Sequence, residues 1–187
     1  GVFDGHDKEN GKIVSNVVKK SIYHDLIENR KIINSINNDL KNCKVYLDEL
    51  FTNTNQNLKD FLIKRNLKKG RIVSEDNGYP VYQIQEGMAK INIRGGTTVS
   101  LVIIINNQLL ITANVGDSTI FLCGKNVNKL PESKISSTFN IKEITEDYAV
   151  MSPGHSANDI SEYLRIKEFF KDLENPMNHF YDNPCGF

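Results

Sequence analysis

The chain has 187 residues and carries 23 Lys+Arg against 23 Asp+Glu, a formal net charge of zero, with 39% hydrophobic residues. That length suits one domain of the usual ~100–200 residues, and the balanced charge argues against a nucleic-acid binder, which shows a basic excess. The apolar content is enough to bury a core, unlike that of a disordered chain, and no stretch approaches the ~18 apolar residues that cross a bilayer. Gly1-Val2-Phe3-Asp4 is strand-like and has no lead-in. This reads as a piece of a longer protein, with no basic flank or apolar run of a secretory leader. Cys43, Cys123 and Cys185 are an odd number and widely spaced. They make neither a disulfide framework nor a metal-ligand pattern, so reduced thiols in a cytoplasmic or nuclear protein are expected.

Val14, Val17, Val18, Ile22 and Leu26 recur at helical steps and predict a helix over 11–33, with Asn10 as its cap. Residues 34–42 read as a loop or frayed end. A second amphipathic helix is predicted over 45–67, with Leu47, Leu50, Phe51, Leu58, Phe61 and Leu62 as its buried stripe. Lys64 to Arg71 is a basic patch at the end of that helix, where cations complement the macrodipole. Its bland reading is a solvated helix end, and its functional one a docking site for an acidic partner.

From 70 to 94 the pattern changes to that of an insertion. Ser74 to Gly78 reads as a turn, and 81–84 and 89–93 as short strands. The strongest segment is 97–123. Thr97 to Ile105, Gln108 to Val115 and Ser118 to Cys123 read as three strands of an antiparallel meander, apolar enough to be covered on both faces. Beyond Ile144 the pattern weakens. Ser156 with Asp159 resembles a capping box, a helix follows to Phe170, and the tail from Asn175 reads as irregular.

Three short motifs carry chemistry-bearing residues. Val2-Phe3-Asp4-Gly5-His6 ends a strand in an acid, a glycine and an imidazole. A carboxylate there suits a hard cation, the glycine lets the backbone approach closely, and His6 can act as a general acid. Ala113-Asn114-Val115-Gly116-Asp117-Ser118 places a second acid at a strand break. Gly95-Gly96-Thr97-Thr98 opens the core strand, where two glycines imply a tight turn or close packing. Taken singly, each is more readily a turn or a β-bulge than a site.

Their order resembles the metal-dependent protein phosphatase family of the protein phosphatase 2C (PPM) type. Its pattern reads Val-[Phe/Tyr]-Asp-Gly-His, helices, [Ser/Thr]-Gly-[Ser/Thr]-[Thr/Ala]-[Ala/Val], then Ala-Asn-x-Gly-Asp-Ser. The resemblance covers residues 1–145 and implies an α+β fold, an antiparallel β-sandwich flanked by helices in an α-β-β-α arrangement. This chain would supply it as a single partial domain over 1–187, with an insertion at 70–94 and a less defined region at 148–187. It further implies hydrolysis of phosphoserine and phosphothreonine in phosphoprotein substrates, with two Mg²⁺ or Mn²⁺ ions and a weaker third. Asp4 would bridge the two metals, Gly5 would offer its carbonyl, Asp117 would help hold the third, and His6 would protonate the leaving group. The expected molecule is a monomer that binds neither nucleic acid nor membrane.

The chain departs from the family pattern in several places. Asp7 to Gly11 replaces the small pair that usually follows the histidine. Thr145-Glu146-Asp147 matches the family's Thr-x-Asp, but Tyr148 stands where a histidine is usual. No Arg-x-x-Gly-Asp follows, and Asp182-Asn183 sits too early for the family's final Asp-Asn. Ser161 to Ile166 resembles the family's Glu-x-x-Arg-Ile helix. These departures motivate an alternative expectation, a catalytically inactive pseudophosphatase acting as a binding module.

Overall fold

The computed structural model describes residues 1–35, 40–76, 79–106, 109–124, 148–152, 155–156 and 159–169. Helix α1 (Gly11–Glu28) buries Val14, Val18 and Ile22, the four-residue spacing that lines one helical face. Asn10 stands at the N-cap position but makes no side-chain cap. Its Nδ2 donates instead to the Arg94 carbonyl at 2.8 Å. In the turn leading in, Asp7 Oδ1 accepts the N–H groups of Glu9 and Asn10 at 2.9 and 2.8 Å.

The single helix expected over 11–33 is two. Asn29 closes α1 and donates from Nδ2 to Asp25 Oδ1 at 3.0 Å, a local side-chain bond of the kind that competes with the helical ladder. The short α2 (Arg30–Ser35) follows and sinks Ile33 into the core.

Helix α3 (Leu40–Lys68) starts earlier than the expected Val45. Its buried face runs through Cys43, Leu47, Leu50, Thr54, Leu58, Leu62 and Asn66, with Phe51 and Phe61 half-buried at its margins. Tyr46 Oη donates to Asp25 Oδ1 at 2.6 Å, joining α3 to α1. Burial first, then that carboxylate, raises the Tyr46 hydroxyl well above its ordinary range, so it keeps its proton. Neither described long helix is apolar enough to cross a membrane.

The insertion forms a three-stranded antiparallel sheet, β2 (Ile72–Asp76), β3 (Tyr79–Gln83) and β4 (Ile91–Asn92), in that order. Ser74, Glu75 and Asp76, expected in a turn, lie in β2 opposite Val81, Pro80 and Tyr79. The Asn77-Gly78 turn itself falls outside the described residues.

The N-terminal segment runs antiparallel to residues 96–100. Val2 and Ser100 exchange backbone hydrogen bonds at 2.8 and 2.9 Å, and β1 (Gly5–His6) pairs with β5 (Gly96–Thr97). Next, β6 (Val99–Ile105) pairs with β7 (Leu109–Val115) from Val99 opposite Val115 to Ile105 opposite Leu109. Val99, Leu101, Ile105, Ile111 and Ala113 form one core with the buried faces of α1 and α3. The other face is not covered among the described residues: Val102 is 42% exposed, Ile104 64% and Leu110 36%.

The expected three-strand meander is corrected here. The third strand, β8 (Phe121–Cys123), pairs with β9 (Tyr148–Val150) and not with β7. The cause lies in the turn at Gly116, whose φ of 97° sends the chain away from β7. The segment following β9 then runs beside this turn. Met151 N–H donates to the Ile120 carbonyl at 2.8 Å, and Ile120 N–H to Ser152 Oγ at 2.9 Å. The described strands thus form four small antiparallel sheets with helices, a mixed α and β content in which a complete sandwich is not assembled.

Helix α4 (Ile160–Phe169) is capped by Asp159, whose Oδ1 accepts the Ser161 N–H at 2.8 Å. The expected cap at Ser156 is therefore displaced to Asp159, because the carboxylate reaches a first-turn N–H directly. Within α4, Arg165 forks onto Glu162 at 2.7 and 2.6 Å. The motif Thr145 to Asp147, the tail from Asn175 and the Asp182-Asn183 pair lie outside the described residues.

Two predictions follow from this packing. Leu50 is 2% exposed, so Leu50→Ala should cost about 2–5 kcal/mol in denaturant unfolding. The Arg165 guanidinium holds the Glu162 carboxyl below its ordinary range. A depressed folded-state value adds stability above the ordinary Glu range that fades as pH falls through the lower, folded-state value. Glu162→Gln should flatten that acid limb, read as Tm against pH from pH 7 downward.

Candidate functional site

The three motifs meet at one buried residue, Thr98, which is 4% exposed. Its N–H donates to the Asp4 carbonyl at 2.9 Å. Its Oγ1 accepts the Asp4 N–H at 3.3 Å and shares a 2.8 Å hydrogen bond with Ser118 Oγ. A hydroxyl has one proton and two lone pairs, so Thr98 can serve both neighbours at once. The strand end bearing Asp4 and the turn bearing Asp117 are thereby anchored to opposite sides of a single side chain.

The glycine positions explain why these strands come so close. A Cβ on Gly5 would lie 2.2 Å from the Gly11 carbonyl oxygen, and one on Gly11 would lie 2.7 Å from that of Gly5. Strand β1 therefore rests backbone to backbone on the first turn of α1. A Cβ on Gly116 would lie 2.7 Å from Thr98 Cγ2, and its positive φ independently favours glycine. The Gly116 carbonyl accepts from Asn114 Nδ2 at 3.1 Å and from the His155 N–H at 3.0 Å. Ser100 Oγ completes the brace by donating to Asn114 Oδ1 at 2.6 Å.

Asp4, His6 and Asp117 are exposed and Gly5 is half-buried. His6 lies opposite Gly96 and Gly5 opposite Thr97. Two carboxylates and a backbone carbonyl are oxygen donors, the kind that hard divalent cations take. Among the described residues, no three His, Cys, Asp or Glu side chains are gathered as a metal cage. In the chemistry of its donor atoms the set fits such a cation.

Asp7, which follows this strand end, has φ 100°. For a residue with a Cβ that conformation is strained, by about 1–3 kcal/mol, and the resembled family carries a small residue there. The carboxylate bonds to Glu9 and Asn10 offset the strain. Sequence reasoning singled out neither this role of Asp7 nor the central one of Thr98. The signal for Thr98 was the second of two hydroxyl-bearing β-branched residues after a glycine pair, at the entrance of a buried strand. His155 is half-buried and bonded through its backbone to the Gly116 turn.

Elsewhere, Lys64, Arg65, Lys68 and Lys69 line a groove of about 360 Å³ beside Phe61. This is where the basic patch of the sequence comes to lie. A larger cleft, of about 470 Å³, opens between Asp7 and the insertion.

The family model for protein phosphatase 2C matches residues 18–175. No curated protein and no solved structure matches the chain. The matched span includes Thr98 and Asp117 and begins after the Asp4-Gly5-His6 strand end.

Gly5→Ala should force β1 off α1, because the obstructing atom is backbone and has no rotamer to yield. The expected cost is about 1–3 kcal/mol in denaturant unfolding, larger than that of Ala at Gly96, where a Cβ would meet nothing within 4 Å.

Proposed function

The chain belongs to the protein phosphatase 2C family, and on that premise we propose that the intact protein of which it is part acts as a metal-dependent protein serine/threonine phosphatase on phosphoprotein substrates. The observation that carries this reading is the meeting of Asp4 and the Gly116-Asp117 turn at Thr98. The Asp4 backbone is bonded to Thr98, the residues on either side of Asp117 touch the same Thr98 side chain, and Asp4 and Asp117 are both exposed.

Mg²⁺ or Mn²⁺ ions would be held by the Asp4 carboxylate, the Gly5 carbonyl and, at a weaker third site, the Asp117 carboxylate. Bound there, they would neutralise the phosphoryl oxygens and make water a better nucleophile at neutral pH. His6 is exposed at the end of β1, and an imidazole can deliver a proton to a departing seryl or threonyl oxygen. Thr98 keeps the Asp4 backbone in place through two hydrogen bonds. No side-chain nucleophile is required, consistent with Cys43 being buried in the core. The exposed apolar face at Val102, Ile104 and Leu110 is the surface that the second sheet of the family's sandwich would cover.

A second reading is a pseudophosphatase that binds phosphoproteins without turnover. It is favoured by the absence of a three-acid cluster among the described residues.

Hydrolysis of a phosphothreonine peptide with Mn²⁺ separates the two. For the enzyme, Asp4→Ala should lower kcat/KM by about 10²-fold or more, since the metals supply several kcal/mol, and EDTA should abolish turnover. His6→Ala should lower kcat by about 10²-fold. Turnover that survives both EDTA and Asp4→Ala would contradict the metal mechanism. No turnover, together with no heat on Mn²⁺ titration, would favour the pseudophosphatase.

A further inference from the structure

The 470 Å³ cleft lies between the turn after His6 and the inserted sheet, with Asp7 and Asn10 on one wall and Arg71, Tyr82, Lys90 and Arg94 on the other. The insertion wall is held in place. The Arg71 guanidinium lies 4.0 Å from the Tyr82 ring centroid and donates through Nη1 to Asn66 Oδ1 at 2.7 Å. Asn66 is itself buried and donates to the Leu62 carbonyl at 2.8 Å. Arg94 is tied through its carbonyl to Asn10 Nδ2, which leaves its exposed side chain at the mouth of the cleft.

The acids around the cleft are already engaged. Asp7 accepts two backbone N–H groups, Glu9 lies 3.8 Å from Lys69 Nζ, and Asp76 lies 3.2 Å from Lys90 Nζ. Arg71 and Arg94 have no such carboxylate partner among the described residues. Three cations, Arg71, Lys90 and Arg94, line the cleft against two carboxylates, Asp7 and Glu9, and the two guanidinium groups are the ones left to meet an anionic group. Asp7 is three residues from Asp4, hence at most ~11 Å away along the chain. An extended peptide covers that span in about three residues.

We propose that this cleft is a specificity subsite for the phosphatase. It takes an acidic stretch of the phosphoprotein about three to five residues from the phosphorylated side chain, with Arg71 and Arg94 as the reading groups and Lys90 in support. The proposal rests on the phosphatase reading for what occupies the neighbouring centre, and on the cleft alone for its charge preference. Arg71 is preorganised by Asn66 and Tyr82, so little side-chain freedom is lost when it meets a carboxylate. The insertion thereby selects substrates and takes no part in the chemistry.

The test uses three labelled phosphothreonine peptides on the full chain with Mn²⁺. One has four glutamates before the phosphoresidue, one has four after it, and one has glutamines throughout. One of the acidic peptides should show a kcat/KM about tenfold above the glutamine peptide, carried by KM and reduced by salt. Arg94→Glu and Arg71→Gln should each bring that ratio close to one, while Lys19→Glu, the same charge change on α1, should preserve it. Arg94 is exposed, so its variant guards against misfolding at Arg71. Fluorescence anisotropy of the same peptides reads binding apart from turnover. If no peptide is hydrolysed, the phosphatase reading fails, and Arg94-dependent binding of the acidic peptide still upholds the subsite. Equal hydrolysis and equal binding of all three peptides overturn the subsite and leave the phosphatase reading standing. A preference that Arg94→Glu does not alter also overturns it.

Discussion

The closest contact in the candidate site is made by two residues without side chains. Gly5 and Gly11 meet backbone to backbone, so near that a methyl group on either would overlap the other's carbonyl. That approach sets the distance between the N-terminal strand and α1. It also places the Asp4 backbone within reach of Thr98, and Thr98 passes the constraint on to Ser118 and Gly116. A bulkier residue at any of these glycines would separate elements that the site needs together. The buried stripe of α3 then packs beside α1 and fixes the helix on which Gly11 rides.

The molecule places its ionisable groups according to the same economy of contact. Around Thr98 the backbone is saturated with hydrogen bonds while the carboxylates of Asp4 and Asp117 remain at the surface. Around the insertion the reverse holds: acids are engaged by N–H groups and lysines, and guanidinium groups face the open cleft. Two neighbouring regions therefore expose groups of opposite sign. On the proposed reading the first would take cations and the second carboxylates. A chain with zero net charge can present both, because what a ligand meets is the local arrangement and not the total.

Much of this was legible in the chain. Periodicity located α1 and α3 and most of the α3 stripe, because burying a helix face demands a repeat near 3.6 whatever lies opposite. The β-branched run from Val99 to Ile105 announced a core strand, and the ordered motifs carried the family resemblance that the family model shows. Other features were hidden because they depend on contacts distant in sequence. Phe121 to Cys123 could not declare Tyr148 to Val150 as their partner, since strand pairing leaves no local mark. Asn10 was legible as a cap, but a carbonyl at Arg94 took its side chain.

The sequence alone determined the elements, the family resemblance and the acids on offer, because these follow from residue type and spacing along one chain. Tertiary structure decided that Thr98 is the joint between the motifs, and that Arg71 and Arg94 come to line a cleft beside Asp7. It also decided which face of β6 and β7 is buried under helices and which is left open. The physical reason is common to all of these. Each depends on a distance of about 3 Å between groups tens of residues apart, and such distances come from packing.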